Sequence, residues 1–168
     1  MELIGFTVRP QAFADAAFIA LLVAAAGFDL WNFRIPNLIA ILLAIGFPAA
    51  ALLIGVPPDW PYHLLGAALV LLAGAVLFMR NLIGGGDVKL FAAAAVWYSL
   101  DSLPAFVFAV SLVVGVLALV VLLASFAKRA FATAGSQGYS RRRIRGMSLP
   151  YGVAIALGGC LVRPLFGI

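Results

Sequence analysis

The chain has 168 residues, of which 65% are hydrophobic and only 10% are charged, and its mean hydropathy is +1.18. Soluble globular domains are about 45–50% apolar, so this composition excludes an ordinary soluble domain and predicts a polytopic membrane protein. The net charge of +5 comes from basic residues in loops and does not indicate a nucleic-acid partner, and the single cysteine, Cys160, excludes a disulfide framework within the chain.

Six apolar runs predict about six transmembrane helices that form one all-α membrane bundle. The runs cover residues 12–28, 37–56, 62–79, 88–100, 103–127 and 149–161. The first run is predicted to be a retained span rather than a signal peptide, because the residues before it are not net basic. Spans of about 20 residues leave no room for a sizeable soluble domain, so residues 1–168 are predicted to form a single domain.

The fourth run is short and follows the segment Gly84-Gly85-Gly86-Asp87. A run of about 13 residues, each rising 1.5 Å, covers about 20 Å of a hydrocarbon core of roughly 30 Å. If Asp101 marks the far surface, Asp87 lies slightly below the near surface. Non-helical backbone at that depth has to be buried in protein or to line a wet cavity, so a cavity is predicted beside Asp87.

Basic residues are distributed unequally between the two sides of the predicted bundle. One side receives Arg34, Arg80, Lys89 and the six basic residues between positions 128 and 148, and the other receives Arg9 and Arg163. Because basic loops stay in the cytoplasm, the first side is predicted to be cytoplasmic and both termini are predicted to be outside. A cluster in the cytoplasmic loop is predicted to set this topology and to contact anionic lipid head groups: Arg141, Arg142, Arg143 and Arg145.

Two aspartates, Asp29 and Asp87, fall at helix ends on the predicted cytoplasmic face. Such a pair can hydrolyse a peptide bond, because one carboxylate accepts a proton from water while the other, protonated, donates to the carbonyl oxygen. The neighbouring Gly84, Gly85 and Gly86 would permit unusual backbone angles and let an extended substrate approach the main chain. The chain has no sequence motif of a zinc protease, a serine hydrolase or a nucleotide-binding enzyme.

The residues alone leave other interpretations open. Asp29 could be an ordinary interfacial residue, and Asp87 could cap a helix that begins at Val88. A non-enzymatic transporter or secretion-channel subunit could use the same two aspartates to handle protons or cations. Lys89 could lower the pKa of a catalytic acid or extend to the membrane surface. His63, the single histidine, is predicted to lie at the outer membrane interface.

Three segments occur in a characteristic order. They are Asp29 with Ile35-Pro36-Asn37, then Gly84-Gly85-Gly86-Asp87 continued by Val88-Lys89-Leu90, and finally Pro150-Tyr151-Gly152-Val153-Ala154-Ile155-Ala156. In this order they resemble the type IV prepilin peptidase family of membrane aspartic proteases, whose Gly-x-Gly-Asp motif the second segment fits. The match is strongest to the short CpaA/TadV-type members of tight-adherence pilus systems.

The resemblance implies that Asp29 and Asp87 are the catalytic pair and that Gly84 and Gly86 shape the active-site loop. It implies removal of the short, positively charged leader from a Flp-type prepilin or pseudopilin at the cytoplasmic boundary of the bacterial inner membrane, without a metal or a cofactor. Larger members of the family carry an N-terminal segment with paired cysteines for N-methylation of the new pilin terminus. Here about ten residues precede the first span and Cys160 is alone, so methyl transfer is not expected.

Overall fold

A computed structural model describes residues 10–32, 34–54, 59–132 and 149–165. In these ranges it contains six α-helices, a short 3-10 turn at Arg163–Leu165 and no β-strand, which confirms the predicted all-α fold. The helices are α1 (Pro10–Asn32), α2 (Asn37–Ile54), α3 (Trp60–Met79), α4 (Gly85–Ala95), α5 (Leu103–Ala132) and α6 (Tyr151–Val162). The predicted lipid-binding cluster, Arg141, Arg142, Arg143 and Arg145, lies outside the described residues.

Within the described ranges, four helices are long and apolar enough to cross a membrane. They are α1 from Gln11, α2, α3, and α5 as far as Ala127. The helices α4 and α6 have 11 and 12 residues, so each is only about 16–18 Å long and falls short of a roughly 30 Å core. The bundle thus combines four long membrane helices with two short ones, and six complete crossings stay a prediction.

Two helix boundaries differ from the sequence-based expectation. α1 continues to Asn32, so Asp29 lies in its last turn, although the apolar run was expected to end at Phe28. α4 begins at Gly85, so Asp87 is its third residue and does not cap a helix starting at Val88. In both places the helix includes polar or glycine residues that have low helix propensity. Backbone hydrogen bonding and tertiary contacts outweigh this low propensity.

The glycines near Asp87 do not adopt the unusual backbone angles that glycine would permit. Gly84 is extended, with φ −73° and ψ 145°, and Gly85 and Gly86 lie in the first turn of α4. Among the described non-glycine residues, positive φ occurs at Asn81, with φ 56°, in the turn after α3. Space is a requirement at Gly84, where an added Cβ would lie 2.7 Å from the Asp87 carboxylate.

The short helix α4 lies at the centre of the bundle, packed by α2, α3 and α6. Six of its residues are buried: Val88, Leu90, Ala92, Ala93, Ala94 and Ala95. A helix that is apolar on nearly every side is typical of a buried position. Both α1 and α5 also pack against α6, so α6 contacts α1, α4 and α5.

The end of α4 that is remote from Asp87 lies inside the bundle, where its carbonyl groups need partners other than water. Arg163, which is 2% exposed, donates from Nη1 to the Trp97 carbonyl at 2.9 Å and from Nε to Asp15 Oδ1 at 2.7 Å. His63 Nδ1 donates to the Val96 carbonyl at 2.8 Å. These side chains connect α1, α3, α4 and the segment after α6.

The ring of His63 is buried between helices of the bundle, and its position at the outer membrane interface stays a prediction. The ring stacks on Phe47 of α2 with centroids 4.7 Å apart, and its hydrogen bond reaches a residue 33 positions away in the chain. Nothing in the local sequence around Tyr62 and His63 contains this information. His63 serves as a side-chain partner for the end of α4.

Candidate active site

Asp29 is held in the last turns of α1 by the start of α6. Its side chain is 5% exposed, and Oδ2 accepts a hydrogen bond of 2.7 Å from the backbone N–H of Gly152. Gly152 is the second residue of α6, where backbone N–H groups have no partner inside the helix and the helix dipole favours a carboxylate. The first turn of α6 thus provides a natural binding position for the Asp29 carboxylate.

Only a glycine fits at position 152 without displacement. A Cβ atom there would lie 2.9 Å from both Cβ and Oδ2 of Asp29 and 3.0 Å from Cδ1 of Ile35. Carbon atoms normally approach to about 3.5–4.0 Å, so a side chain would push Asp29 or Ile35 away. Gly152 therefore lets α6 approach α1 closely enough for the short hydrogen bond.

Asp87 lies in the first turn of α4, with Gly84 as the N-cap residue. Its carboxylate turns back towards Gly84, where Oδ2 would lie 2.7 Å from an added Cβ, and it interacts with the Gly84 backbone. An acid at the third helical position that reaches back to the N-cap backbone forms one half of a capping box, and the other half is missing because Gly84 has no side chain. The glycine at position 84 leaves room for this carboxylate.

Ile35, in the connection between α1 and α2, joins the two aspartate segments. Its Cδ1 approaches Gly152, and its carbonyl oxygen and Cβ would lie 3.8 and 3.9 Å from a Cβ added to Gly86. The first turns of α4 and α6 and the end of α1 therefore converge on one residue. This convergence places Asp29 and Asp87 at the same end of the bundle, as predicted from the charge pattern.

The two carboxyl groups also interact electrostatically. Asp87 lies outside the four long helices. The pKa of its carboxyl is raised to about 6, first by burial and second by repulsion from the Asp29 carboxylate. The backbone of Gly84 acts in the opposite direction. Like charges that disfavour simultaneous ionisation are typical of a carboxyl pair that shares a proton.

Sequence reasoning did not assign a role to Tyr151 or Gly152, although both belong to the third motif segment. The Tyr151 hydroxyl donates to the Leu82 carbonyl at 3.1 Å, in the turn that precedes Gly84. The phenol also lies within electrostatic range of Asp87. Tyr151 thus fastens the glycine segment to α6, and the signal that points to it is its position next to Gly152.

Lys89 lies on a different side of α4 from Asp87. Its exposed Nζ donates to Asn37 Oδ1 at 3.4 Å, and the influences that shift the pKa of Asp87 are burial, Asp29 and Gly84 rather than Lys89. The structure therefore gives no support to Lys89 as the group that lowers the pKa of a catalytic acid. Gly85 faces the Phe78 ring, 3.3 Å from an added Cβ, which gives this glycine a packing role.

A cavity of about 820 Å³ opens at the same end of the bundle. Its lining comes from the end of α1 and the α1–α2 connection: Phe28, Asn32, Arg34, Ile35, Pro36 and Asn37. The cavity shares Ile35 with the aspartate site, whereas neither aspartate lines it. In the part of the chain that the structure describes, no three His, Cys, Asp or Glu side chains converge as metal ligands would.

Fold and site together define a helical membrane protein with two interacting aspartates at one end of its bundle. The chain matches the type IV leader peptidase family over residues 16–119, which is more than half of its length and includes both aspartates. It therefore belongs to that family, and the predicted family resemblance is confirmed.

One curated relative is the prepilin leader peptidase/N-methyltransferase of Bacillus subtilis (strain 168), which is 36% identical over 162 residues. The alignment covers 94% of this chain and 58% of the relative, so the chain spans little more than half of that protein's length. No solved structure matches the chain.

Proposed function

We propose that this protein is an aspartic endopeptidase that removes the leader peptide from type IV prepilins and related pseudopilins of the Flp/Tad type. The observation that carries the proposal is the electrostatic interaction between Asp29 and Asp87, each at a helix end of the same site. Membership of the type IV leader peptidase family and the name of the Bacillus subtilis relative support this substrate class. The CpaA/TadV-type assignment rests on the motif segments and belongs to the same proposal.

The proposed mechanism uses one shared proton and one water molecule. We assign the proton to Asp87, since burial and the Asp29 charge both favour its neutral form. Asp29 then accepts a proton from water as the water oxygen attacks the scissile carbonyl, and Asp87 donates its proton to the carbonyl oxygen. As the C–N bond of the tetrahedral intermediate breaks, Asp29 donates its proton to the leaving amine and Asp87 takes a proton from a hydroxyl of the intermediate, which restores the starting state of the pair.

The glycines provide access for the substrate in this proposal. A substrate chain has to be extended at the cleaved bond, because a helix shields its own peptide groups. Gly84 and Gly86 carry no side chain beside Asp87, and a Cβ at Gly86 would meet Ile35 at no closer than 3.8 Å. An extended leader segment would lie across this surface with its scissile carbonyl between the two carboxyl groups.

The proposed site faces the cytoplasm from the bacterial inner membrane, with both termini on the other side. The distribution of Lys and Arg supports this orientation. A cysteine replacing Gly135, in the basic loop, is expected to react with an impermeant thiol reagent only from the cytoplasmic side. Reaction from the outside of intact cells would overturn the orientation.

The activity is tested by co-expressing a prepilin with the protein and following leader removal in isolated membranes by mass spectrometry. Asp29→Asn and Asp87→Asn are expected to abolish cleavage while the protein remains inserted in the membrane. Asp59→Asn and Asp101→Asn are matched controls, since they change acids near other ends of helices, and they are expected to retain cleavage. Full cleavage by either Asp29→Asn or Asp87→Asn would contradict the proposal.

A further inference from the structure

A groove runs along α4 on the side that carries Lys89, Ala92 and Ala93. Its floor is α4, and its walls are α2 and α3, which both pack on α4. The groove has a volume of about 580 Å³. Its surface is formed mainly by small apolar side chains: Ala40, Ala44, Ala67, Ala68, Ala92 and Ala93.

The groove has a polar, positively charged end. Lys89, in the first turns of α4, lines it together with Asn37, the first residue of α2. The hydrogen bond between Lys89 Nζ and Asn37 Oδ1 is long, at 3.4 Å, and an ammonium group has three donors, so Lys89 can bind a further acceptor. Arg34 lines the adjoining cavity, which shares Asn37 with the groove, and neither lining contains an acid.

We propose that this groove binds one anionic phospholipid, with an acyl chain along the alanine walls and the phosphate at Lys89. The site is distinct from the aspartate pair, because residues two apart on a helix, such as Asp87 and Lys89, do not face the same direction. An apolar slot ending in a cation has the same distribution of polarity as an anionic lipid. Basic pockets between membrane helices bind anionic lipid head groups in this way.

The size of the groove favours an acyl chain over a transmembrane helix of a protein partner. One turn of a helix about 10 Å wide and 5.4 Å high has a volume of roughly 420 Å³. A groove of about 580 Å³ accommodates little more than one such turn, whereas spanning segments need about five. A single flexible chain fills the space between α2 and α3 without separating them from α4.

The proposal is tested by native mass spectrometry of the full chain in detergent with added dioleoyl-phosphatidylglycerol or dioleoyl-phosphatidylcholine. The wild-type protein is expected to retain one phosphatidylglycerol in preference to phosphatidylcholine. Lys89→Gln should reduce phosphatidylglycerol occupancy about fivefold, the effect of one basic residue near an anionic head group, and Lys89→Arg should retain it. The matched control is Arg80→Gln, which removes an exposed cation outside the groove and should behave as wild type.

A second pair of variants tests the acyl-chain part of the groove. Ala44→Leu fills space between the walls and should cause loss of both lipids, whereas Ala49→Leu, on the exposed surface of the same helix, should retain them. The proposal is overturned if Lys89→Gln matches Arg80→Gln, or if Ala44→Leu matches Ala49→Leu. Displacement of the lipid by saturating prepilin would also overturn it, because the groove would then bind a protein helix.

Discussion

Replacing Gly152 with alanine tests whether the close approach of α6 to α1 controls the position of Asp29. The new Cβ would lie 2.9 Å from Cβ and Oδ2 of Asp29 and 3.0 Å from Cδ1 of Ile35. Since ordinary contacts are about 3.5–4.0 Å, one of these groups has to move by roughly 0.5–1 Å. Asp29 Cβ is attached directly to the α1 backbone, so rotation of the side chain cannot relieve that contact.

The expected consequence is that the catalytic rate per folded molecule falls much more than the folded fraction does. A misplacement of about 1 Å in a catalytic group can reduce the rate roughly 100-fold, so we expect a decrease in kcat of about 10- to 100-fold. Overpacking in a protein interior costs about 1–3 kcal/mol, which leaves much of the protein folded if its stability is typical. The assay is the initial rate of prepilin cleavage by purified protein in proteoliposomes, divided by the folded fraction.

Two other glycines provide controls for this experiment. A Cβ at Gly27, in the same helix as Asp29, meets nothing within 4 Å, so Gly27→Ala should keep wild-type activity and gain up to about 0.5–1 kcal/mol of stability. A Cβ at Gly158 would meet the Val110 backbone nitrogen at 2.9 Å. Gly158→Ala should therefore lose stability with little change in rate per folded molecule. If Gly152→Ala loses no more activity than Gly158→Ala, the reasoning is refuted.

Three further changes test other contacts. Asp29→Asn should lower the pKa of Asp87 from about 6 by removing a repelling charge. A hydrophobic carbodiimide labels only the protonated acid, so the pH at which labelling of Asp87 is lost, as the pH is raised, should be lower in this variant than in the wild type. Tyr151→Phe removes the hydrogen bond to Leu82 and should reduce kcat/KM about 2- to 10-fold, as one hydrogen bond contributes about 0.5–1.5 kcal/mol. Arg163→Gln should lower the free energy of unfolding by about 2–3 kcal/mol, measured by chemical denaturation.

Each of these three variants has a control variant or a result that would contradict the prediction made for it. An unchanged pH dependence of Asp87 labelling in Asp29→Asn would show that the two carboxyl groups do not interact. Tyr62→Phe changes an exposed tyrosine near the start of α3 and should leave kcat/KM unchanged. For Arg163, the stability loss stays below that of a fully buried pair because Asp15 is 35% exposed. Equal stability of Arg163→Gln and Arg80→Gln would contradict a buried role.

The features that sequence predicted correctly depend on local patterns. Apolar runs of sufficient length predict membrane helices, because spanning the hydrocarbon core requires about 20 consecutive apolar residues and this length can be read directly from the sequence. The distribution of basic residues predicted that Asp29 and Asp87 lie at the same end, and the convergence of both segments on Ile35 agrees. The arrangement at the aspartate pair could be anticipated in outline because both acids interrupt apolar sequence.

The features that sequence missed depend on contacts between distant residues. The Gly152 N–H that binds Asp29 is 123 residues away along the chain, and His63 bonds to a residue 33 positions away. The helical state of Asp29 was missed because a carboxylate after an apolar run resembles the start of a loop. Its partner in α6 makes the extended helix favourable, and that partner is visible only in three dimensions.

A double-mutant cycle on leader cleavage tests the central claim most directly. The initial rates of wild type, Asp29→Asn, Asp87→Asn and the double variant are measured with one prepilin in proteoliposomes. If the two aspartates act as one catalytic pair, each single variant loses the activity and the double variant is no slower than either single variant. Losses that multiply, or a single variant with the wild-type rate, would contradict the claim.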